Sequence, residues 1–292
     1  MVESNRENQI LELKDGRKLG YAESGDLNGK PIFHFHGHPG SRLEIRLIGL
    51  FGKLKQNGVH LIAVDRPGLG LSDFKPGRTL LEWPDDVIEL ADHLGLDKFV
   101  VEGISGGGPY AAACAYKISE RLTCCGIIAG IGLTNWSRKG MMRSNRIGLF
   151  ISRRLPFLIK TIVNAEKKAF EDRESIEKFV KKLPEPDRLV FQDPRILNIF
   201  LEESKEAFRS GLDGAVHEEK IYVKPWGFDL KDIPSDLQVY IWHGDMDVFV
   251  PSSFGRKMCE LIPNCKGFFF SNEGHLSIFL NHIDEILETL KS

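Results

Sequence analysis

The stretch Gly103-Ile104-Ser105-Gly106-Gly107 constrains the fold of this 292-residue chain more than any other. The apolar run Phe99-Val100-Val101 precedes it and the small-residue run Tyr110 to Cys114 follows it, so Ser105 sits where a strand turns sharply into a helix. Such a turn, a nucleophile elbow, strains the backbone of its central residue and lifts that side chain above the sheet. The strain is tolerable only with very small neighbours two positions away, and Gly103 and Gly107 supply them. On its own the motif also fits a Gly-rich loop or a phosphate cradle at a helix N-terminus.

The surrounding pattern decides what sheet the turn belongs to. Ile10–Lys14 and Arg17–Ala22 flank Asp15-Gly16, a two-residue connection suited to an antiparallel hairpin. Strands are then expected at Pro31–His36, Val59–Val64, Phe99–Val101 and Leu122–Ala129, with helices at Ser41–Gln56, capped by Ser41, and at Glu82–Leu96. Strands alternating with helices imply right-handed crossovers and a mostly parallel sheet. From 135 to 235 the periodicity becomes helical, with no convincing buried strand, and prolines punctuate it. A strand at Leu237–Trp242, a helix at Ser252–Leu261, a strand at Lys266–Phe270 and a terminal helix at Leu276–Lys291 complete the core. The expected organisation is an α/β core over 1–134 and 236–292 with a helical insertion at 135–235.

A net charge of -2 with acids and bases nearly balanced steers the chain away from nucleic acid. The polar N-terminus lacks the apolar stretch of a secretory signal, and no run approaches a membrane span. Five cysteines, without paired C-x-x-C motifs, argue against a disulfide framework or a zinc site. These features predict a cytoplasmic protein with reduced thiols, no metal and no transmembrane segment.

A serine hydroxyl needs a base within hydrogen-bond reach, itself oriented by an acid. Of the nine histidines, His275 in Asn272-Glu-Gly-His-Leu-Ser277 lies in a Gly-containing loop just after the last strand, on the strand-end edge that also carries Ser105. His60 and His93 fall inside a strand or helix pattern, His217 lies in the insertion and His282 on the terminal helix. Ile241-Trp-His-Gly-Asp-Met-Asp-Val-Phe-Val-Pro251 offers two acids, Asp245 and Asp247, and Asp247 fits the spacing G-x-x-D-x-x-V-P.

With these three motifs in the order Ser105, Asp247, His275, the chain resembles the α/β-hydrolase superfamily, specifically its lid-bearing branch. The resemblance implies an α/β-hydrolase fold, with Ser105 as nucleophile, Asp247 as acid and His275 as base. It also makes His36-Gly-His-Pro-Gly-Ser41 similar to the family's H-G-x-P loop, which implies an oxyanion hole formed by the backbone N–H groups of His38 and Gly106. The His38 imidazole could reach the pocket or face away. Asp65-Arg-Pro-Gly-Leu-Gly-Leu-Ser72 resembles another family loop, and the acidic residue and first glycine turn of a dinucleotide fingerprint are missing, so no cofactor is implied. Serine at the elbow disfavours the Asp-based epoxide hydrolases and dehalogenases. Proline iminopeptidases are related but resemble G-G-S-W-G at the elbow, from which Ile104 and Gly106 depart.

Between Arg138 and Lys168 nine bases face a single acid, Glu166. That excess reads either as a solvated lid exterior over a packed interior or as a basic face for weak contact with an anionic substrate or lipid, with Ile147, Phe150, Ile151, Leu155, Phe157 and Leu158 turned toward the active-site cleft. The resulting expectation is a serine hydrolase that cleaves a small, partly apolar ester through an acyl-enzyme. The alternatives are a non-catalytic or single-turnover ligand sensor on the same fold, or hydrolysis of an amide or a carbon–carbon bond.

Overall fold

The structure, a computed structural model, describes residues 6–133 and 135–292. It opens on a hairpin of β1 (Gln9–Glu12) and β2 (Lys18–Gly25), in which Gln9 faces Tyr21 and Glu12 faces Lys18. Gly16, at the hairpin tip, has φ 83°, a left-handed conformation that favours glycine. Next come β3 (Lys30–Phe35), α1 (Ile45–Phe51), β4 (Val59–Val64), α2 (Trp83–His93), β5 (Phe99–Ile104), α3 (Gly108–Lys117) and β6 (Leu122–Ile128). Helices α4 (Arg143–Arg154), α5 (Ile159–Glu171), α6 (Arg173–Val180), α7 (Glu185–Val190), α8 (Pro194–Ala207) and α9 (Asp213–Tyr222) follow. The chain then returns to the sheet through β7 (Val239–Gly244), α10 (Ser252–Leu261), β8 (Cys265–Phe270), α11 (Ser277–Asn281) and α12 (Ile283–Lys291).

The strands form one sheet in the order β1-β2-β4-β3-β5-β6-β7-β8. Only β2 runs antiparallel to its neighbours, so the mostly parallel sheet expected from the alternating pattern is present. Every residue of β4 and β5 is buried, because helices cover both faces. Alternate residues feed opposite cores. Phe33, Ile62, Val101, Ile127 and Ile241 pack with α2, α3 and α10, whereas Ile32, Leu61, Val100, Ile128 and Trp242 pack with α1, α11 and α12. Helix α3 can lie close to β5 and β6 because it presents Ala111, Ala112, Ala113 and Ala115.

Three local expectations need correction. The helix expected over 41–56 is a short 3-10 turn, with Ser41 Oγ accepting from Leu43 N, followed by α1, which ends at extended Gly52. The terminal helix divides at His282, whose ring packs 4.1 Å from Phe270 and pairs with Glu273, leaving its backbone outside the helical region. Cys259 and Cys265 form a disulfide, against the expectation of reduced thiols. The reversal at Ile262-Pro263-Asn264 between α10 and β8 brings their Cα atoms to 5.3 Å, within bridging range. Cys114, Cys124 and Cys125 are free and buried.

Candidate active site

Strands β3, β5, β7 and β8 all point the same way, so the loops leaving their C-terminal ends gather on one edge of the sheet. Ser105 leaves β5 with φ 53°, an uncommon conformation for a residue with a side chain, costing on the order of 1–3 kcal/mol. The backbone around it leaves no room for larger neighbours. A Cβ on Gly103 would come 2.3 Å from Gly107 O, and one on Gly107 would come 2.0 Å from Phe35 O. Ser105 O accepts from Ile131 N at 3.0 Å, and among the described residues the Ser105 hydroxyl makes no hydrogen bond. A catalytic hydroxyl commonly forms its bond to the base only once substrate is bound.

Asp247 and His275 meet across the loops after β7 and β8, with His275 Nδ1 2.6 Å from Asp247 Oδ2. The other Asp247 oxygen accepts from Phe249 N at 2.8 Å and Val250 N at 2.9 Å, so the carboxylate is held from two sides. Burial alone would raise the Asp247 pKa, but the His275 ring and a bond from His243 outweigh it and hold the carboxyl at about 2. For His275 burial favours the neutral ring, and Asp247 again prevails, so its pKa lies above the ordinary histidine value. Asp245, the other acid of the segment, is spent elsewhere, accepting from Ser252 Oγ at 2.6 Å and Arg256 Nη2 at 2.8 Å. The His275 loop has a further support that sequence reading missed. Buried Asp187 of α7 accepts from the backbone N–H groups of His275 at 3.0 Å, Leu276 at 2.9 Å and Ser277 at 3.0 Å.

The loop after β3 lies against the elbow, so that a Cβ on Gly37 would stand 3.9 Å from Ser105 Cβ. A Cβ on Gly106 would stand 3.2 Å from His38 N and 2.6 Å from the Tyr222 hydroxyl. Glu44 takes the Gly37 N–H at 3.0 Å, whereas among the described residues the His38 N–H has no acceptor. Glu44 is itself fixed by His34 Nε2 at 2.8 Å, while His34 Nδ1 bonds Glu102. Burial opposes charge on His34, yet these two carboxylates raise its pKa to about 10. Glu203 of α8 accepts from Ser41 N at 3.3 Å, and burial beside Glu44 pushes the pKa of its carboxyl well above the usual carboxylate range.

The His38 side chain, whose direction the sequence left open, turns toward α9. Its Nδ1 lies 2.8 Å from Glu218 Oε2 and its Nε2 3.4 Å from Glu219 Oε1. Burial works against protonation, but the two glutamates win and raise the ring to about 9. Glu218 is a hub. It also meets Arg66, Arg78 Nη2 at 3.2 Å, Tyr110 Oη at 3.0 Å and Tyr222 Oη at 3.3 Å. Arg66 in turn donates to His36 O and to Gly37 O at 2.9 Å, and Tyr222 Oη lies 3.1 Å from Gly106 O. Burial disfavours the Glu218 carboxylate, and Arg66 and His38 hold it ionised well below the usual range. Arg66 sits in the Asp65-Arg-Pro-Gly loop, which thus braces the carbonyls of the loop after β3. Among the described residues no group of three or more His, Cys, Asp or Glu side chains is arranged to hold a metal ion.

The fold is shared with known proteins. Over 108 residues the chain is 38% identical to a proline iminopeptidase of Clostridium botulinum, a match covering 34% of this chain and 36% of that protein. The chain thus spans about a third of the length of that curated relative. Over the whole chain it is similar in fold to an alpha/beta hydrolase fold protein from Chitinophaga pinensis, at TM-score 0.71 and 16% identity, covering 100% of this chain and 98% of that one. A putative aryl esterase from Burkholderia cenocepacia superposes at TM-score 0.67 and 18% identity, covering 97% of this chain and 96% of that one. The sequence profile of the alpha/beta hydrolase fold matches residues 30–282, a span that takes in every strand from β3 to β8 together with the elbow and the Asp247 and His275 loops, and the chain belongs to that family.

Proposed function

We propose that this hydrolase-family protein is a serine hydrolase that cleaves a small, partly apolar ester through an acyl-enzyme. The observation that most supports it is the 2.6 Å pair of His275 and a deeply ionised Asp247 on the sheet edge that also carries left-handed Ser105. His275 Nε2 takes the Ser105 Oγ proton while Asp247 fixes the Nδ1–H tautomer and steadies the imidazolium. The serine oxygen attacks the carbonyl carbon, and the N–H groups of His38 and Gly106 receive the oxyanion. His275 then protonates the leaving alcohol, and afterwards activates the water that releases the acid. The helices of 135–235 act as a lid, keeping the site narrow and favouring a small substrate over a polymer.

The test is Ser105→Ala on short p-nitrophenyl esters, for which loss of a triad nucleophile lowers turnover by about a millionfold. Undiminished activity would remove Ser105 from the mechanism. Labelling of Ser105 by a fluorophosphonate, without turnover of any ester or amide, would favour a ligand sensor instead. The likeness to a proline iminopeptidase gives amide hydrolysis a specific form, so a prolyl anilide belongs in the same panel.

A further inference from the structure

Helix α4 turns a mixed basic and apolar stripe outward, and Ile147, Phe150 and Phe157, expected to face the active-site cleft, lie exposed instead. Arg143, Arg146, Ile147, Phe150, Arg153 and Arg154 are all exposed, Ile147 by 58% and Phe150 by 56%. At 100° per residue these six positions fall within about a third of the helix circumference. Phe157, 76% exposed, extends the stripe beyond the C-terminus of α4. Buried Ser152 is on the opposite side, donating to Glu219 Oε2 at 2.8 Å, so α4 is anchored by one face and open on the other. Among the described residues Arg143, Arg146, Arg153 and Arg154 pair with no carboxylate. The stripe borders a groove of about 820 Å³ lined by Trp136, Arg146, Ile147 and Phe150 among others.

We propose that this face of α4 docks the protein on the surface of an anionic phospholipid bilayer. The chemistry of the stripe selects that partner. A polyanion such as nucleic acid would match the arginines but leave Ile147, Phe150 and Phe157 in water. A second copy presenting the same face would oppose arginine to arginine. A lipid surface takes both halves, phosphates meeting the guanidinium groups while the apolar side chains enter the acyl boundary. The docking is peripheral, since no helix among the described residues is long and apolar enough to cross a membrane. Its placement has a mechanical corollary: Ser152 joins α4 to Glu219, and Glu219 reaches His38 beside the elbow, so the docked helix is two contacts from the loop after β3.

Co-sedimentation of the full chain with vesicles of phosphatidylcholine alone, or with about a third phosphatidylglycerol, tests the proposal. Binding to the anionic vesicles, at least tenfold weaker to the neutral ones and reduced by salt, is the expected result. Replacing all four arginines by glutamine (R143Q, R146Q, R153Q, R154Q) lowers the partition coefficient by about fivefold per arginine. Changing Phe150 and Phe157 to serine weakens binding while leaving its salt dependence in place. Unfolding curves of each variant establish that it is folded. Equal partitioning of the wild type and the arginine variant would overturn the proposal, as would failure of the folded wild type to bind anionic vesicles, or binding to nucleic acid or heparin without binding to vesicles.

Discussion

Two sets of arginines in this molecule live under opposite rules. Arg42, Arg66 and Arg78 are almost fully buried, and each is closed in by carboxylates: Arg42 by Asp65 and Glu206, Arg66 and Arg78 by Glu218. The four arginines of α4 are exposed and without a carboxylate partner among the described residues. A guanidinium removed from water is tolerable only with its countercharge in place, so folding dictates the inner set down to individual oxygens. Water already satisfies the outer set, and folding places little demand on its pattern. An ordered stripe there calls for a reason outside the stability of the chain, and a charged surface to meet supplies one.

The comparison can be broken from either side. The largest effect of a single substitution on stability comes from Glu218→Ala, which leaves His38, Arg66 and Arg78 facing one another without their shared carboxylate. It should cost roughly 3–5 kcal/mol, read as a lower midpoint in urea unfolding. Glu218→Gln keeps the shape and part of the bonding, and should lie between the two.

Alkaline titration comes next. The pKa values of His38 and His34 are raised, to about 9 and about 10, because their folded environments favour the cation. The stability each ring contributes is therefore fully present below about pH 6.5 and is lost as the pH rises through those folded values. Unfolding free energies measured from pH 6.5 to 10 should fall, at up to about 1.4 kcal/mol per pH unit for each site. His38→Gln should flatten the part of that decline ending near pH 9.

The smallest effect belongs to the outer set. The four arginine-to-glutamine changes on α4 should each alter unfolding free energy by no more than about 0.5 kcal/mol, in either direction, even where vesicle binding collapses. A loss comparable to that of Glu218→Ala would mean that the α4 arginines serve the fold after all, and the contrast would fail.

What could be foreseen from the sequence follows the same division. The alternation of apolar strands and amphipathic helices is local, and it correctly gave a mostly parallel sheet. The glycine requirement at 103 and 107 is also local, and both positions prove too crowded for a Cβ. Asp247 and Asp245 stand two residues apart, and their partners separate them: one faces His275, the other Ser252 and Arg256. Contacts between distant segments stayed hidden. Arg66 and Glu218 are 152 residues apart, and Asp187 reaches His275 across 88, with no pattern near either acid to announce a partner. The disulfide escaped for a different reason. Its two cysteines are only six residues apart, but the tight reversal between α10 and β8 that aligns them depends on where the helix stops and the strand begins.

The position of Glu218 also sets a limit on how this scaffold can be recombined. Helix α9 belongs to the segment between β6 and β7, where a different run of helices could be spliced in without breaking a strand of the sheet. Splicing at those joints would remove Glu218 and Glu219 together and strand Arg66, Arg78 and His38, all of which lie outside that segment. A chimera built there must therefore import a carboxylate to the same point in space or change the three cations with the graft, so the segment is exchangeable only together with the residues it meets there.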